Sequence, residues 1–399
     1  MIDYDILIAG GGPVGSALAL ALADGHRRIG VVEARADLPP TGTRAIVLAD
    51  GSVRLLRALD VWSDLAADAV PVRQVEVSQQ GHFGRTRITA DEEQVEALGR
   101  VVAYGALARA LATRARAAAG VDWIAPAEVE GADADTDCVR VHLAAADGRR
   151  TVGTRLAVAA EGTQSPLRAA LGIDSRSHDY EQTALLLDVT ANGCGDVAHE
   201  RFTHEGTIAL LPRGEGHWTL VWALAREDAE RWLAATPAEL GEALTERLGQ
   251  GHAPVAVAAP PQAYPLHRVE ADAAVAQRGV VIGNAVRTLH PVAAQGFNLA
   301  LRDACALAEH LESAPDPGAG DCLAAWQRAR WLDQRLTRDF TDILARGFGH
   351  GPRALAGVRA GALLGLDLCS GARRQLAAQT LGLARGLPRV GSWRPESGA

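Results

Sequence analysis

Residues 5–33, DILIAGGGPVGSALALALADGHRRIGVVE, leave few folds open. Asp5 to Ala9 is a short apolar run ending in glycines, and Ser16 to Ala23 is small and helix-forming. RIGVVEAR then gives a second apolar run that ends at Glu33. Strand, glycine turn, helix, strand and acid make one βαβ unit, the seed of a helix-covered parallel sheet. Within it Gly10, Gly12 and Gly15 follow the pattern G-x-G-x-x-G, with Pro13 in the same turn. The pattern alone is weak, but here it lies between strand and helix, with an acid 23 residues after Gly10. Gly10 permits the tight turn, Gly12 lets backbone approach a pyrophosphate, and Gly15 lets helix and strand pack closely. The helix N-terminus faces the phosphates. Glu33 can accept from ribose hydroxyls and would repel a 2′-phosphate, so the expected adenosine is that of FAD or NAD.

The second informative stretch is late: VVIGNAVRTLHPVAAQGFNLALRDA, Val280 to Ala304. It reads as a buried strand, Gly283-Asn284, Pro291, Gly296, then a helix. An NAD dehydrogenase does not need a second glycine-bearing strand-loop-helix, whereas a flavin ring, far from its adenosine, needs its own cradle. FAD is therefore the expected cofactor. A helix starting near Phe297-Asn298 would aim N–H groups at the electron-rich edge of the ring, and Gly296 would let that backbone come close. Pro291 stiffens the loop, Gln295 lies beside it, and His290 is either a base for a phenol or a loop-shaping residue.

Between these halves the pattern changes. SVRLLRALDVWSDL (Ser52 to Leu65) has helical periodicity with Val53, Leu56, Leu59 and Trp62 on one face. Val72 to Thr89 alternates, and Ala184 to Ala225 is strand-rich with turn glycines. From Leu299 onward nearly everything reads as helix. The expected class is α/β: a Rossmann-like FAD-binding domain (1–70, 100–172 and 275–325) interrupted by a mostly β substrate domain (71–99 and 173–274), with a C-terminal helical region (326–399). In HWTLVWAL, His217, Thr219, Val221 and Ala223 alternate with Trp218, Leu220 and Trp222, so one face should pack under helices and the other meet the ring. Leu210, Pro212 and Trp222 are the candidate pocket walls, with core packing the alternative for Trp222.

A net charge of -8 gives no global field for nucleic acid or anionic lipid. Five scattered cysteines, with no C-x-x-C pair, indicate neither a disulfide framework nor a zinc site and suit a reducing compartment. No Ser/His/Asp triad or metal cluster stands out. Apolar strand sequence from Tyr4 leaves no room for a signal peptide, and no window approaches the ~18 apolar residues of a membrane span. A cytoplasmic protein is expected.

With these motifs in hand, the chain resembles the flavoprotein aromatic hydroxylases built on the p-hydroxybenzoate hydroxylase fold. More closely, it is similar to the 2-polyprenyl-6-methoxyphenol hydroxylase family of ubiquinone biosynthesis. The resemblance runs through DILIAGGGPVGSALALAL, TRAIVLADGSVRLLRALDVW, AAEGTQSPLRAALGI, DYEQTALLLDV, ALLPRGEGHWTLVWAL, GNAVRTLHPVAAQGFNLALRDACALAE and into the helical tail. It implies FAD reduced by NAD(P)H, O2 as co-substrate, and oxygen delivery from a C4a-hydroperoxide to the ring of a polyprenyl phenol. It implies that Arg44 lies near the cofactor phosphates and that Glu161-Gly162 stands where the family has an Asp-Gly pair contacting cofactor and nicotinamide nucleotide. Gly283-Asn284 matches a Gly-Asp pair that binds the ribityl chain; asparagine can accept from a hydroxyl and also donate. Tyr104 stands where many relatives carry an arginine, its role open. A polyprenyl substrate also implies a ubiquinone-biosynthesis complex or peripheral contact at the inner face of the membrane, with the arginine-dotted tail as the contact. A hydroxylase of a soluble phenol or polyketide, or a non-catalytic scaffold of the same fold, are the alternatives.

Overall fold

The computed structural model describes residues 2–23, 25–38, 44–82, 85–192, 195–249, 252–349 and 356–390. Cys194 and the end of the tail, 391–399, lie outside the described residues. The βαβ unit is there: Tyr4–Ala9 pairs in parallel with Ile29–Val32, and Pro13–Leu22 is the helix between them. Five strands run parallel in the order Gly279–Val281, Gly148–Ala159, Tyr4–Ala9, Ile29–Val32, Val121–Ile124. Both faces are covered, which is why their sequences are apolar runs: Ile6, Leu7 and Ile8 are all fully buried. Helix Gln295–Glu312 packs against Pro13–Leu22, with Ala17, Leu301 and Cys305 in one apolar cluster.

The second large sheet has the order Val255–Val257, Ser175–Ala191, His217–Ala225, Gly206–Pro212, Val197–Thr203, Gln74–Gln79, Arg85–Thr89. Gln262–Ala271 also pairs with Ser175–Ala191. Leu185, Leu187, Leu210, Trp218, Leu220 and Trp222 face helices Arg226–Leu233 and Pro237–Leu248 and bury against Trp232, Leu240 and Leu244. The opposite face looks toward the parallel sheet and the C-terminal helices Gly320–Gly349, Ala356–Leu368 and Ser370–Leu381. A small sheet, Ala45–Ala49, Gly99–Ala103 and Val70–Val72, lies between the two large ones.

Two helices begin or end away from their expected positions. The helix expected over Ser52 to Leu65 is Asp50–Ala58 followed by a single 3₁₀ turn, Trp62–Asp64. Asp60 has φ 57°, and a left-handed residue there ends the α-helix. The late helix starts at Gln295, before Phe297, behind Ala293 (φ 63°) and Ala294 (φ 50°). Two successive left-handed alanines turn the chain sharply from Pro291 into the helix.

Candidate active site

A cavity of about 780 Å³ lies between the parallel sheet and the second large sheet. Its walls join segments far apart in sequence: Gly10, Gly12 and Pro13; Glu33; Arg44 and Tyr104; Glu161 and Gly162; Asn284; His290 and Pro291; Gly296 and Phe297. The two halves of the expected cofactor site therefore open into one space.

The glycines divide by what a side chain would meet. A Cβ on Gly10, which has φ 101°, would sit 2.5 Å from the Ala160 carbonyl oxygen, and one on Gly15 would sit 1.9 Å from the Gly10 oxygen. Those two are glycine because backbone passes there. At Gly12, Gly162 and Gly296 a Cβ would meet nothing within 4 Å. Of these, Gly12 and Gly296 line the cavity at two helix N-termini, where first-turn N–H groups have no intrahelical acceptor. Open backbone at both helix starts is what a ligand with a pyrophosphate at one end and an electron-rich ring at the other requires. The residues present fit FAD.

Glu33 is anchored: the Gly11 N–H donates to its Oε2 at 2.9 Å, and the Arg35 N–H to its Oε1 at 3.1 Å. Arg44 spans the mouth, its guanidinium 5.2 Å from the Tyr104 ring centre and 5.7 Å from that of Tyr264. Tyr104, left open by the sequence, is thus a cation–π partner of Arg44. Glu161 accepts from the Ser165 hydroxyl and from the Leu167 N–H, and so caps the short helix Pro166–Ala170. Burial raises its pKa above the usual carboxylate range, against those hydrogen bonds and Arg168. The longer acid at this position therefore reaches back into the protein. Arg168 donates to the Thr163 and Ala285 carbonyls (3.0 and 2.8 Å), tying this turn to the one at Gly283, whose φ is 62°. Asn284 follows it, exposed into the cavity.

The Asn298 side chain is engaged within the protein. Its amide donates to the Val47 and Ala294 carbonyls (2.9 and 2.8 Å) and its oxygen accepts from the Ala49 N–H (2.9 Å). The side chain clamps the first turn of its helix to strand Ala45–Ala49 and is not turned to the cavity. Gln295 donates to the Ala293 and Thr380 carbonyls, holding the same turn to the C-terminal helices. His290 is buried with both nitrogens engaged: Nδ1 accepts from the Val292 N–H (3.2 Å) and Nε2 meets Gln182 Oε1 (2.9 Å). That pattern fixes the neutral Nε2–H form and shapes the Pro291 loop rather than leaving a base free.

The proposed substrate walls need correction. Trp222 is fully buried on the helix-covered face, 5.3 Å from the Trp232 ring and under Arg247. Leu210 belongs to the same cluster, and Pro212, two residues on, shares its side of the strand. Pairing sets this: Leu210 is opposite Leu220, and Ile208 opposite Trp222. The alternate residues Leu186, Leu211 and Val221 line the cavity, joined by Ala184, Tyr264 and Leu266. Strand alternation signalled this face; the choice of the larger residues missed it. His267 is at the cavity edge, exposed.

Residues 3–330 match the family model described as FAD binding domain. The chain is 34% identical over 374 residues to a ubiquinone hydroxylase, UbiL, of Rhodospirillum rubrum, covering 88% of this chain and 84% of that one. It is 29% identical to a 3-demethoxyubiquinol 3-hydroxylase of Escherichia coli, over 95% of this chain and 98% of that protein. Among solved structures, p-nitrophenol 4-monooxygenase PnpA of Pseudomonas putida superposes with a TM-score of 0.76 at 18% identity, covering 95% and 98% of the two chains. No described helix is long and apolar enough to cross a membrane.

Proposed function

The chain belongs to the FAD-binding domain family and takes FAD, and from that premise we propose that it is a monooxygenase hydroxylating the aromatic ring of a polyprenyl phenol in ubiquinone biosynthesis. NAD(P)H serves as electron donor and O2 as co-substrate. The observation that carries the reading is the single cavity that joins Gly12 and Glu33 at one end to Gly296 and an apolar wall of Leu186, Leu211 and Val221 at the other. The names of the ubiquinone hydroxylase and demethoxyubiquinol hydroxylase relatives support the substrate class.

When bound, the flavin supplies the redox and oxygen-activating chemistry, and the protein supplies position and environment. Gly12 and Pro13 begin the helix that receives the pyrophosphate, and Glu33 receives the ribose. Arg44 balances phosphate charge at the mouth, held by Tyr104 and Tyr264. Asn284 reaches the ribityl chain from the turn that Arg168 fixes. Gly296 and Phe297 present N–H groups to the ring edge where negative charge collects, and the Asn298 clamp keeps them aimed. Gly162 leaves room beside the cofactor. Pro291, whose loop His290 shapes, would help hold the ring in the cavity. The apolar wall excludes water from the reacting carbon. Residues 1–70, 100–172 and 275–325 form the cofactor part, 71–99 and 173–274 the substrate part.

A polyprenyl tail is most soluble in a bilayer, so the same reading includes a ubiquinone-biosynthesis complex or peripheral contact through the C-terminal helices. Leu364 (48% exposed) and Leu368 (78% exposed) on Ala356–Leu368 support the contact. Quinone profiling by mass spectrometry in a deletion strain tests the function. Accumulation of a precursor lacking one ring oxygen is expected; an unchanged quinone profile would sink the assignment to this pathway.

A further inference from the structure

The helix whose first turn meets the ring, Gln295–Glu312, carries buried charges that the reaction as described does not use. Arg302 and Asp303 lie on it, Arg330 and Asp333 on Gly320–Gly349, and all four are buried. Arg287 joins them with its side chain 15% exposed. Asp303 faces Arg287 (3.5 Å) and Arg330 (2.7 Å), and Asp333 faces Arg302 (3.1 Å) and Arg330. Three arginines thus share two carboxylates. The half-exposed rim does not supply the missing anion: Arg268, Arg335 and Arg338 meet Glu270, Asp339 and Asp342 there, three against three. Arginine keeps its charge when buried, so the network holds one positive charge in excess.

The excess shows at Arg302. Its Nε donates to Asp333, but Nη1 and Nη2 have no hydrogen-bond partner among the described residues. They lie beneath Gly382 at the end of helix Ser370–Leu381, where a Cβ would come within 2.6 Å of Nη1. The carbonyls that finish that helix are taken. Those of Ala378 and Gln379 accept from the Gly382 N–H, and that of Thr380 accepts from Gln295. A buried guanidinium with idle donors costs folding free energy, and apolar packing in its place is often as stable or more so. What the arginine adds is a field. The cavity is lined on this helix by Gly296, Phe297 and Ala300, just ahead of Arg302. Gly296 and Arg302 are about 9 Å apart along the helix axis, and helical side chains lean toward the N-terminus. A unit charge about 10 Å from the ring, at an effective dielectric of about 20, favours an opposite charge there by about tenfold.

We propose that Arg302 and its companions set the reduction potential of the bound flavin, their unmatched positive charge stabilising the negative charge that the ring gains on reduction. Hydride transfer adds two electrons and one proton, so the ring gains one negative charge and the donor leaves as NAD(P)⁺. Arg302 does not line the cavity and acts at a distance, as a positioning residue beside the N–H groups of Gly296 and Phe297. This rests on the reading that places the ring at the start of Gln295–Glu312.

The test is the midpoint potential of the FAD-loaded protein, read by reductive titration against a reference dye, with affinity for oxidised FAD measured beside it. Arg302→Met is expected to weaken binding of reduced relative to oxidised FAD by about tenfold, a fall of about 30 mV for a two-electron couple, with oxidised FAD held as before. Arg302→Lys keeps the wild-type potential. Asp333→Asn breaks the same ion pair but removes a negative charge, and raises the potential. A packing role alone would move Arg302→Met and Asp333→Asn in the same direction or not at all. An unchanged potential in Arg302→Met, a fall in Arg302→Lys as large as in Arg302→Met, or a fall in Asp333→Asn overturns the proposal. If the buried variants do not fold, Arg338→Gln at the half-exposed rim takes one positive charge from the same network; a smaller fall supports the proposal and no fall overturns it. Turnover with NAD(P)H and O2 separates the two levels. Shifted potentials with no hydroxylated phenol defeat the hydroxylase reading alone, whereas hydroxylated product with unshifted potentials defeats this inference alone.

Discussion

Gly12→Ala and Gly15→Ala change the same fingerprint by one methyl group, and the structure predicts opposite consequences. At Gly15 the new Cβ would lie 1.9 Å from the Gly10 carbonyl oxygen, backbone against backbone, in the middle of the βαβ unit. Overpacking of that kind costs about 1–3 kcal/mol or more, because no flexible side chain can move aside. At Gly12 the Cβ would meet nothing within 4 Å, and φ is -65°, which alanine adopts freely. The folded chain should lose under about 1 kcal/mol, the scale of a helix N-cap change. The methyl group would, however, occupy the space through which a pyrophosphate reaches the N–H groups. Loss of one or two charge-assisted hydrogen bonds, about 1.5–3 kcal/mol, corresponds to FAD binding about 10- to 100-fold weaker. Urea melts and FAD titration by flavin fluorescence on both variants separate the effects. A Gly12→Ala protein that binds FAD as tightly as the wild type, or a Gly15→Ala protein as stable as the wild type, would overturn these roles of the two glycines.

Asn284→Asp should slow FAD loss several-fold on dilution, since a carboxylate makes a charge-assisted bond to a ribityl hydroxyl; unchanged retention would place the side chain elsewhere. His290→Gln should lower kcat by less than about tenfold, because both ring nitrogens already have partners; a 10²- to 10⁴-fold loss would reveal a general base. Asp333→Asn should destabilise the protein by about 3–5 kcal/mol in urea, because it would leave Arg302 and Arg330 buried without their shared carboxylate. Burial alone would raise the Asp333 pKa, but those two arginines outweigh it and hold it below the usual range. Its contribution is therefore present above the unfolded carboxylate pKa of about 4 and lost as pH falls through the lower folded value. An acid-unfolding curve unchanged by Asp333→Asn would contradict this.

What the sequence revealed and what it hid have one physical cause. The fingerprint at Gly10, Gly12 and Gly15 is local: turn, helix start and packing contact lie within six consecutive residues, so spacing alone encodes them. The stretch from Gly283 to Gly296 was legible for the same reason. Alternation likewise showed that strand His217–Ala225 has two faces. It could not say which face meets the cavity, because that depends on the partner strands and on helices Arg226–Leu233 and Pro237–Leu248, which cover Trp222. The Asn298 clamp joins residues 249 and 251 positions apart, and the His290 partner Gln182 is 108 positions away. Glu200 looks like an ordinary surface acid until register across three strands puts it in line with Val221. Long-range pairing carries this information, and a single sequence does not display it.

A hydroxylase of the proposed kind passes one oxygen atom from O2 to an aromatic ring held in this cavity beside FAD. The direct measurement is turnover of a short-chain polyprenyl phenol by the purified yellow protein with NAD(P)H under ¹⁸O₂, with mass spectrometry of the product. The expected product is a hydroxylated ring carrying one labelled oxygen per turnover. A protein that cannot be loaded with FAD, or a product whose new oxygen comes from water, would contradict it.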